Sequence, residues 1–429
     1  MFENVQITTL PNGAKIVTSA MPGVNSFSVC FNAGMGSRFE PSSEAGWSHF
    51  LEHMVFKGSR KHPTRTEIVR PLERIGAEYN AETGYEGTSF HARVPASRTA
   101  LAIGILGDMF AQPLCPSAEI ERERKVVLEE IKRSEDSPDG RVFRAARAAL
   151  WPGHSLGRPI SGTLSALERA NADALLDFHR RNYTASEVLV SAAGALDHER
   201  IVEMVCPHLE KLATGPARRN PRNRFRPVRP LIAERRDVKQ VHAVVAFRIP
   251  ELDNAARDRL ALWANILGGG MDSRLFRRIR DRNGMAYSVY AAAHHYKGTG
   301  MFYVKAGLDP ARLQTAIALI GRELQSMVKR PVSNRELADA KGLLRGWNMF
   351  FGETSEEQRL ILEGSLKNRG FVESPEQWVQ GLRPITREEI QILATDIIRP
   401  EVCTLALILP NDCKTDPECL REALFDEWH

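Results

Sequence analysis

Residues 46–58 read Gly46-Trp47-Ser48-His49-Phe50-Leu51-Glu52-His53-Met54-Val55-Phe56-Lys57-Gly58, and the reading of the whole chain turns on them. His49 and His53 are four apart, so on a helix they stand one turn above each other and can point at one ion. Turning by about 100° per residue, Trp47, Phe50, Leu51, Met54 and Val55 share one arc while His49, Glu52 and His53 share the opposite one. The apolar stripe predicts a helix seated on a core, with its polar face turned to a cavity.

Outward from this helix, expected over 44–57, the chain alternates strands and helices. Pro11-Asn12-Gly13 between alternating segments 4–9 and 14–20 is a hairpin signal. A strand is expected at Val24–Asn32, a helix at 64–76, a strand at Thr88–Val94 and a helix opening at Pro95. A charged helix follows over Ser117–Ser134, stopped before Pro138, then helix over Leu164–Asn182 and a buried strand over Glu187–Ala195.

The second half replays this order. Val241–Ile249 stands for the early strand and Ala255–Leu267 for the histidine-bearing helix; Phe302–Leu308 followed by Asp309-Pro310 repeats Phe90–Val94 followed by Pro95. Helix Thr386–Ile398 then strand Cys403–Leu409 repeat the closing pair. The fold class expected is α+β: two tandem, structurally similar α/β sandwich domains, each a mostly antiparallel sheet flanked by helices. Their bounds are placed at 1–212 and 238–429, around a linker at 213–237. That linker carries Pro216, Pro221, Pro227 and Pro230 among Arg218, Arg219, Arg222, Arg224, Arg226 and Arg229.

Composition removes several classes of function. Hydrophobic residues make up 43% and charged residues 26%, which is globular and not disordered. Fifty-eight basic against 53 acidic residues leave a net +5, with no aromatic ladder beside the arginines, so no nucleic-acid partner is expected. The six cysteines contain no Cys-x-x-Cys pair, which disfavours a thiolate zinc knuckle or a dithiol centre. The uncharged run Ile16–Ser37 is broken by Pro22, Gly23 and Asn25; no membrane segment and no secretory signal are read, and a cytoplasmic location is expected.

A hydrolytic zinc site takes three protein ligands and keeps one position open. The charged helix offers the third: Glu123 and Glu130 lie two turns apart on nearly one face, and either carboxylate would complete a His₂Glu shell. Glu52, held beside the ion by its flanking histidines, is placed as the base that takes a proton from the attacking water and returns it to a leaving amine. Two histidines four apart also occur by chance, and a charged helix is commonly only a solvated surface. The order His-x-x-Glu-His on a polar face, followed by an acidic helix, is what tips the reading to metal.

At these residues the chain resembles the inverzincins of the pitrilysin and insulysin family, and among them the mitochondrial processing peptidase-like branch, over essentially its whole length. The family's liganding Glu follows its motif after 76 residues, the number between His53 and Glu130. The resemblance thus implies His49, His53 and Glu130 as zinc ligands, one ion per chain, Glu52 as general base and Glu123 as a supporting acid. Gly76-Ala77-Glu78-Tyr79-Asn80-Ala81 resembles the strand that pairs with an extended peptide, with Asn80 and Ala81 as substrate contacts. Ser273 to Arg280 and then Gly284-Met285-Ala286-Tyr287 resemble the family's Arg and Tyr pair: Arg280 on substrate carbonyls, Tyr287 on the developing oxyanion.

The family's build further implies that the chain is half of a clamshell. A dimer would close it, a homodimer in the simpler case and a heterodimer with a homologous chain in the other. The second domain, with Trp263-Ala264-Asn265-Ile266-Leu267-Gly268 where ligands would stand, would serve as a wall of the chamber. Two functions follow as expectations: a zinc metalloendopeptidase acting on peptides or unfolded segments, or a non-catalytic partner subunit that keeps the fold.

Overall fold

The turn Pro11-Asn12-Gly13 folds as its sequence predicts. Gly13 sits at φ +91°, in the left-handed region, and lays β1 (Val5–Thr9) antiparallel on β2 (Lys15–Ala20), Val5 opposite Ser19 and Thr9 opposite Lys15. The computed structural model describes residues 4–216 and 224–426. With β3 (Ser26–Ala33), β4 (Glu78–Thr83), β5 (Thr88–Pro95) and β6 (Val188–Gly194), the hairpin builds a six-stranded sheet in the order β1-β2-β6-β3-β5-β4. Only β2 and β6 run parallel; the other pairs are antiparallel. Every residue of β6 is buried, which explains why Val188–Gly194 shows no polar alternation.

The helices in chain order are α1 (Trp47–Val55), α2 (Arg65–Arg74), α3 (Thr99–Ala111), α4 (Ser117–Asp136), α5 (Pro138–Leu150), α6 (Leu164–Glu168), α7 (Ala172–Asn182) and α8 (His198–Leu209). In the second half come α9 (Asn254–Gly268), α10 (Leu313–Lys329), α11 (Asn334–Phe350), α12 (Ser355–Arg369), α13 (Pro375–Leu382), α14 (Arg387–Ile397) and α15 (Pro417–Phe425).

Several boundaries differ from the sequence expectation for local reasons. Pro95 ends β5 instead of opening a helix; a 3-10 turn at Ala96–Arg98 intervenes and α3 begins at Thr99. The single helix expected over 164–182 is two, because Thr163 caps α6 and Asn171, accepting from Ala174 N at 2.9 Å, starts α7 afresh. Pro138 both follows α4 and opens α5, whose cap is Ser137.

The described residues pack as two compact units, each discontinuous in sequence. Of the described residues, the first comprises 4–131, 159–216 and 348–378; the second comprises 132–158, 224–347 and 379–426. Of the segment read as linker, Leu231–Arg236 is instead a strand, β7, and residues 217–223, including Arg218, Arg219, Pro221 and Arg222, lie outside the described residues. No helix among the described residues is long and apolar enough to cross a membrane.

In the first unit, Phe27, Phe31, Phe50, Leu51, Met54, Phe90, Phe110 and Phe178 join one fully buried core. Phe110 stands at its centre, 5.6 Å from the Phe31 ring and 5.8 Å from that of Phe90. Helix α12 covers strands β2, β3 and β6 through a buried polar network: Arg359 Nε donates to Ser28 Oγ at 3.0 Å, and Ser19 Oγ to Gln358 Oε1 at 2.7 Å.

The second unit carries a five-stranded sheet of β7, β8 (Val241–Pro250), β9 (Ala286–Tyr296), β10 (Thr299–Leu308) and β11 (Cys403–Pro410), in the order β7-β11-β8-β10-β9. Trp263, at the position corresponding to the histidine helix, is fully buried and stacks on Phe302 at 4.2 Å, so α9 presents core where α1 presents polar groups. In the same unit Arg274 forks onto Glu336 at 2.6 and 3.0 Å, and Ser333 N and Oγ each reach that carboxylate at 2.8 Å.

Burial alone would raise the Glu336 carboxyl; the Arg274 guanidinium and the Ser333 donors outweigh it and hold it down to about 2. The unfolded chain therefore binds this proton at higher pH than the folded one, and the stabilisation is complete above about 4.5 and lost toward pH 2. Glu336→Gln is expected to cost roughly 1–2 kcal/mol at pH 7, a gap that narrows as urea melts are taken from pH 4.5 downward. A gap that widens on acidification would refute the assignment.

Candidate metal centre

Helix α1 is fixed at its start by groups the sequence does not advertise. Both oxygens of Glu40, itself buried, accept from the first backbone amides of the helix, Gly46 N and Ser48 N, each at 2.7 Å. Gly46 stands at φ +94°, and a Cβ there would lie 2.5 Å from Ser161 O and 2.8 Å from Gly162 Cα. Gly46→Ala thus combines a strained φ with a backbone clash, and is expected to cost about 2–4 kcal/mol in a thermal or urea melt. A loss under about 0.5 kcal/mol would show that the turn relaxes freely.

The apolar stripe of α1 is buried as its spacing predicts: Phe50, Leu51, Met54 and Val55 are inaccessible and Trp47 donates Nε1 to Ala166 O at 2.9 Å. The opposite face carries His49, Glu52 and His53, all half-buried. Helix α4 meets this face with Glu123 and Glu130, two turns apart on nearly one side.

One carboxylate oxygen of Glu130 lies 3.7 Å from His49 Nε2 and 3.5 Å from His53 Nε2, and one donor atom from each of the three residues falls within 4.8 Å of the others. Ligands held about 2.0–2.2 Å from a tetrahedral zinc are about 3.4 Å from each other, so these two separations suit that ion. The imidazoles stand edge to face with centroids 4.8 Å apart. Burial, with the neighbouring His53 ring, pushes His49 down to about 4, so its ring is neutral and its lone pair available at neutral pH.

Glu123 stands on the other side of the His53 ring. Its Oε2 lies 3.1 Å from His53 Nδ1; a carboxylate only accepts, so Nδ1 is the donor of that contact, and Nε2 lies toward Glu130. The other oxygen of Glu123 pairs with Lys57 Nζ at 2.5 Å. Glu52 is not part of the ligand triangle. It accepts from Thr83 Oγ1 at 2.5 Å, and burial raises its carboxyl against the opposing pull of that hydrogen bond and of His53.

Asn80 and Ala81 lie on β4, an edge strand whose far side has no strand partner among the described residues. Ala81 and Thr83 point inward, whereas Asn80 is exposed and, with Glu52, His53, Phe56, Tyr79 and Glu123, lines a cavity of about 280 Å³. Arg280 and Tyr287 belong to the second unit, Arg280 on a π-helical turn (Phe276–Asp281) and Tyr287 near the start of β9. They meet each other there, the Arg280 guanidinium 5.6 Å from the Tyr287 ring centre, and Tyr287 is 79% exposed.

Sequence reasoning missed Glu40, Lys57 and Thr83. Strand alternation alone would have found Thr83, two residues from Ala81 on the same face; nothing local marks Glu40, because its partners are backbone amides of the next element.

This geometry agrees with comparisons to known proteins. Residues 15–164 match the family model for insulinase (peptidase family M16), and residues 169–344 match that of the peptidase M16 inactive domain. An uncharacterized zinc protease of Mycobacterium leprae is 34% identical over 418 residues, covering 96% of this chain and 94% of its own. The chain belongs to the insulinase family, peptidase M16. Another relative, an uncharacterized zinc protease of Bacillus subtilis, is 31% identical over 406 residues, covering 94% of this chain and 98% of its own.

Solved structures share the two-unit M16 fold. A protease from Helicobacter pylori superposes with a TM-score of 0.86 at 18% identity, and a peptidase M16 inactive domain from Pseudomonas fluorescens with 0.88 at 17%, each over 96% of this chain and all of the other. The relatives' names and the family support a peptidase that uses zinc; the inactive-domain match falls largely on the second half, where Trp263 fills the ligand position with core.

Proposed function

We propose that this chain is a zinc-dependent metalloendopeptidase, of the processing peptidase-like branch, that holds one ion on His49, His53 and Glu130. The observation that carries the reading is the convergence of two imidazole nitrogens on one Glu130 oxygen at 3.5 and 3.7 Å, with the carboxylate of Glu52 on the same helix face and outside the triangle. Zinc bound there would supply Lewis acidity to the attacking water and the scissile carbonyl.

The residues of the chain do the rest. Glu52, steadied by Thr83, takes the proton of the attacking water and hands it to the leaving amine; its raised affinity for a proton suits both halves of that task. Glu123 fixes the His53 tautomer. The open edge of β4 supports main-chain pairing of an extended peptide along Asn80 and Ala81, so affinity is tolerant of sequence. Arg280 and the exposed Tyr287 are assigned to substrate carbonyls and the oxyanion of a partner protomer in a homodimer, the family's arrangement.

Hydrolysis of quenched fluorescent peptides by purified protein is the test. Cleavage that is abolished by a chelator and restored by zinc is expected; a zinc-loaded protein that cuts nothing in a broad library would favour the non-catalytic partner subunit.

A further inference from the structure

Away from the metal centre, positive charge collects around one cavity of the second unit. Six arginines line it, Arg274, Arg277, Arg278, Arg282, Arg330 and Arg387, in a volume of about 470 Å³. Glu323 and Glu336 are the acidic groups of that lining, leaving an excess of four positive charges where the entire chain has a net +5. Such a concentration in a concave site is a strong local field for anions.

The acidic neighbours do not quench it. Arg274 is held by Glu336 and donates to Ser326 Oγ at 2.8 Å, and Arg278 pairs with Glu323, so these two form a fixed base. The acidic partner of Arg277 is the highly exposed Asp272 at 3.5 Å, and that of Arg387, which also donates to Val332 O at 3.5 Å, is the exposed Glu388 at 3.2 Å, contacts weak enough to be exchanged for a ligand. Arg282 and Arg330 have no acidic partner within 4 Å among the described residues.

The rest of the lining indicates what kind of anion. The Ser326 and Ser333 hydroxyls of the lining are already donated to Glu323 O and the Glu336 carboxylate, Pro331 and Val332 are its only apolar members, and no aromatic side chain takes part. The lining offers no aromatic face and little apolar surface for a nucleobase or for the apolar side chains of a peptide, whereas planar guanidinium forks match tetrahedral oxyanions bidentately.

We propose that this cavity is a binding site for a compact, multivalent oxyanion of phosphate type, with Arg282 and Arg330 as its free ligating arms. The site is independent of the peptidase reading, since it needs neither metal nor hydrolysis.

Titration calorimetry of the full-length protein with inorganic pyrophosphate tests it. One equivalent per chain is expected, with affinity that rises from phosphate to pyrophosphate, falls steeply as salt is raised toward about 0.15 M, and drops at least about tenfold in Arg282→Ala/Arg330→Ala. Thermal melts of the variant without ligand establish that it folds, and Arg330→Gln alone replaces it if it does not. Absence of binding, affinity unchanged in a folded variant, or a hexaglutamate peptide that binds more tightly than pyrophosphate would each overturn the proposal.

Discussion

Glu52→Gln is expected to leave zinc bound at the wild-type ratio while lowering kcat/KM by about a thousandfold, equal to roughly 4 kcal/mol of transition-state stabilisation. The substitution keeps the shape of the side chain and its contact with Thr83, but an amide neither accepts the proton of the attacking water nor returns one to the amine. Because Glu52 lies outside the triangle of His49, His53 and Glu130, metal content and activity should separate in this variant. Metal analysis and peptide hydrolysis on one preparation check it; loss of zinc together with activity would move Glu52 into the ligand set.

The second large effect concerns the ligands. His53→Ala removes one of three donors and also leaves Glu123 without its imidazole partner, so zinc affinity should fall by well over the 10- to 100-fold typical of losing an outer partner alone. Glu123→Gln provides that smaller reference, since it disturbs only the support of His53. Competition with a chromogenic chelator ranks the two. Equal losses, or a larger one for Glu123→Gln, would reverse the assigned roles and make Glu123 the ligand. The residue types alone left Glu123 and Glu130 as alternatives; in the fold Glu130 faces the Nε2 atoms and Glu123 the Nδ1 of His53, which is the difference this comparison of variants reads.

Much of this was legible in the chain because periodicity and ligand spacing are local properties. The stripe Trp47, Phe50, Leu51, Met54 and Val55 buries as its turn angle requires, and the replayed strand and helix order appears as two sheets of similar build. What the sequence hid is long-range. Helix α12 lies in the second half of the chain yet packs with the first unit, through Arg359 and Gln358 that read as ordinary helix polar residues. Helix α5 joins the second unit although it follows α4 across Pro138, which sequence alone marks as a stop.

The cap on α1 was hidden in a similar way. Glu40 is a glutamate before a Pro, and only the folded chain aims its two oxygens at Gly46 N and Ser48 N. The site's charge logic depends on such contacts: Lys57 balances Glu123, Thr83 holds Glu52, and none of these pairs has a fixed spacing a motif could record. A lone arginine such as Arg330 likewise carries no signal until the fold gathers it with five others round one cavity.

Anomalous diffraction at the zinc edge, from crystals grown with the metal, addresses the central claim most directly. A single strong peak per chain about 2.0–2.2 Å from His49 Nε2, His53 Nε2 and a Glu130 oxygen, with one coordination position left to solvent, is the predicted result. A peak bound by any other set of side chains, or the three residues turned apart with none between them, would contradict it.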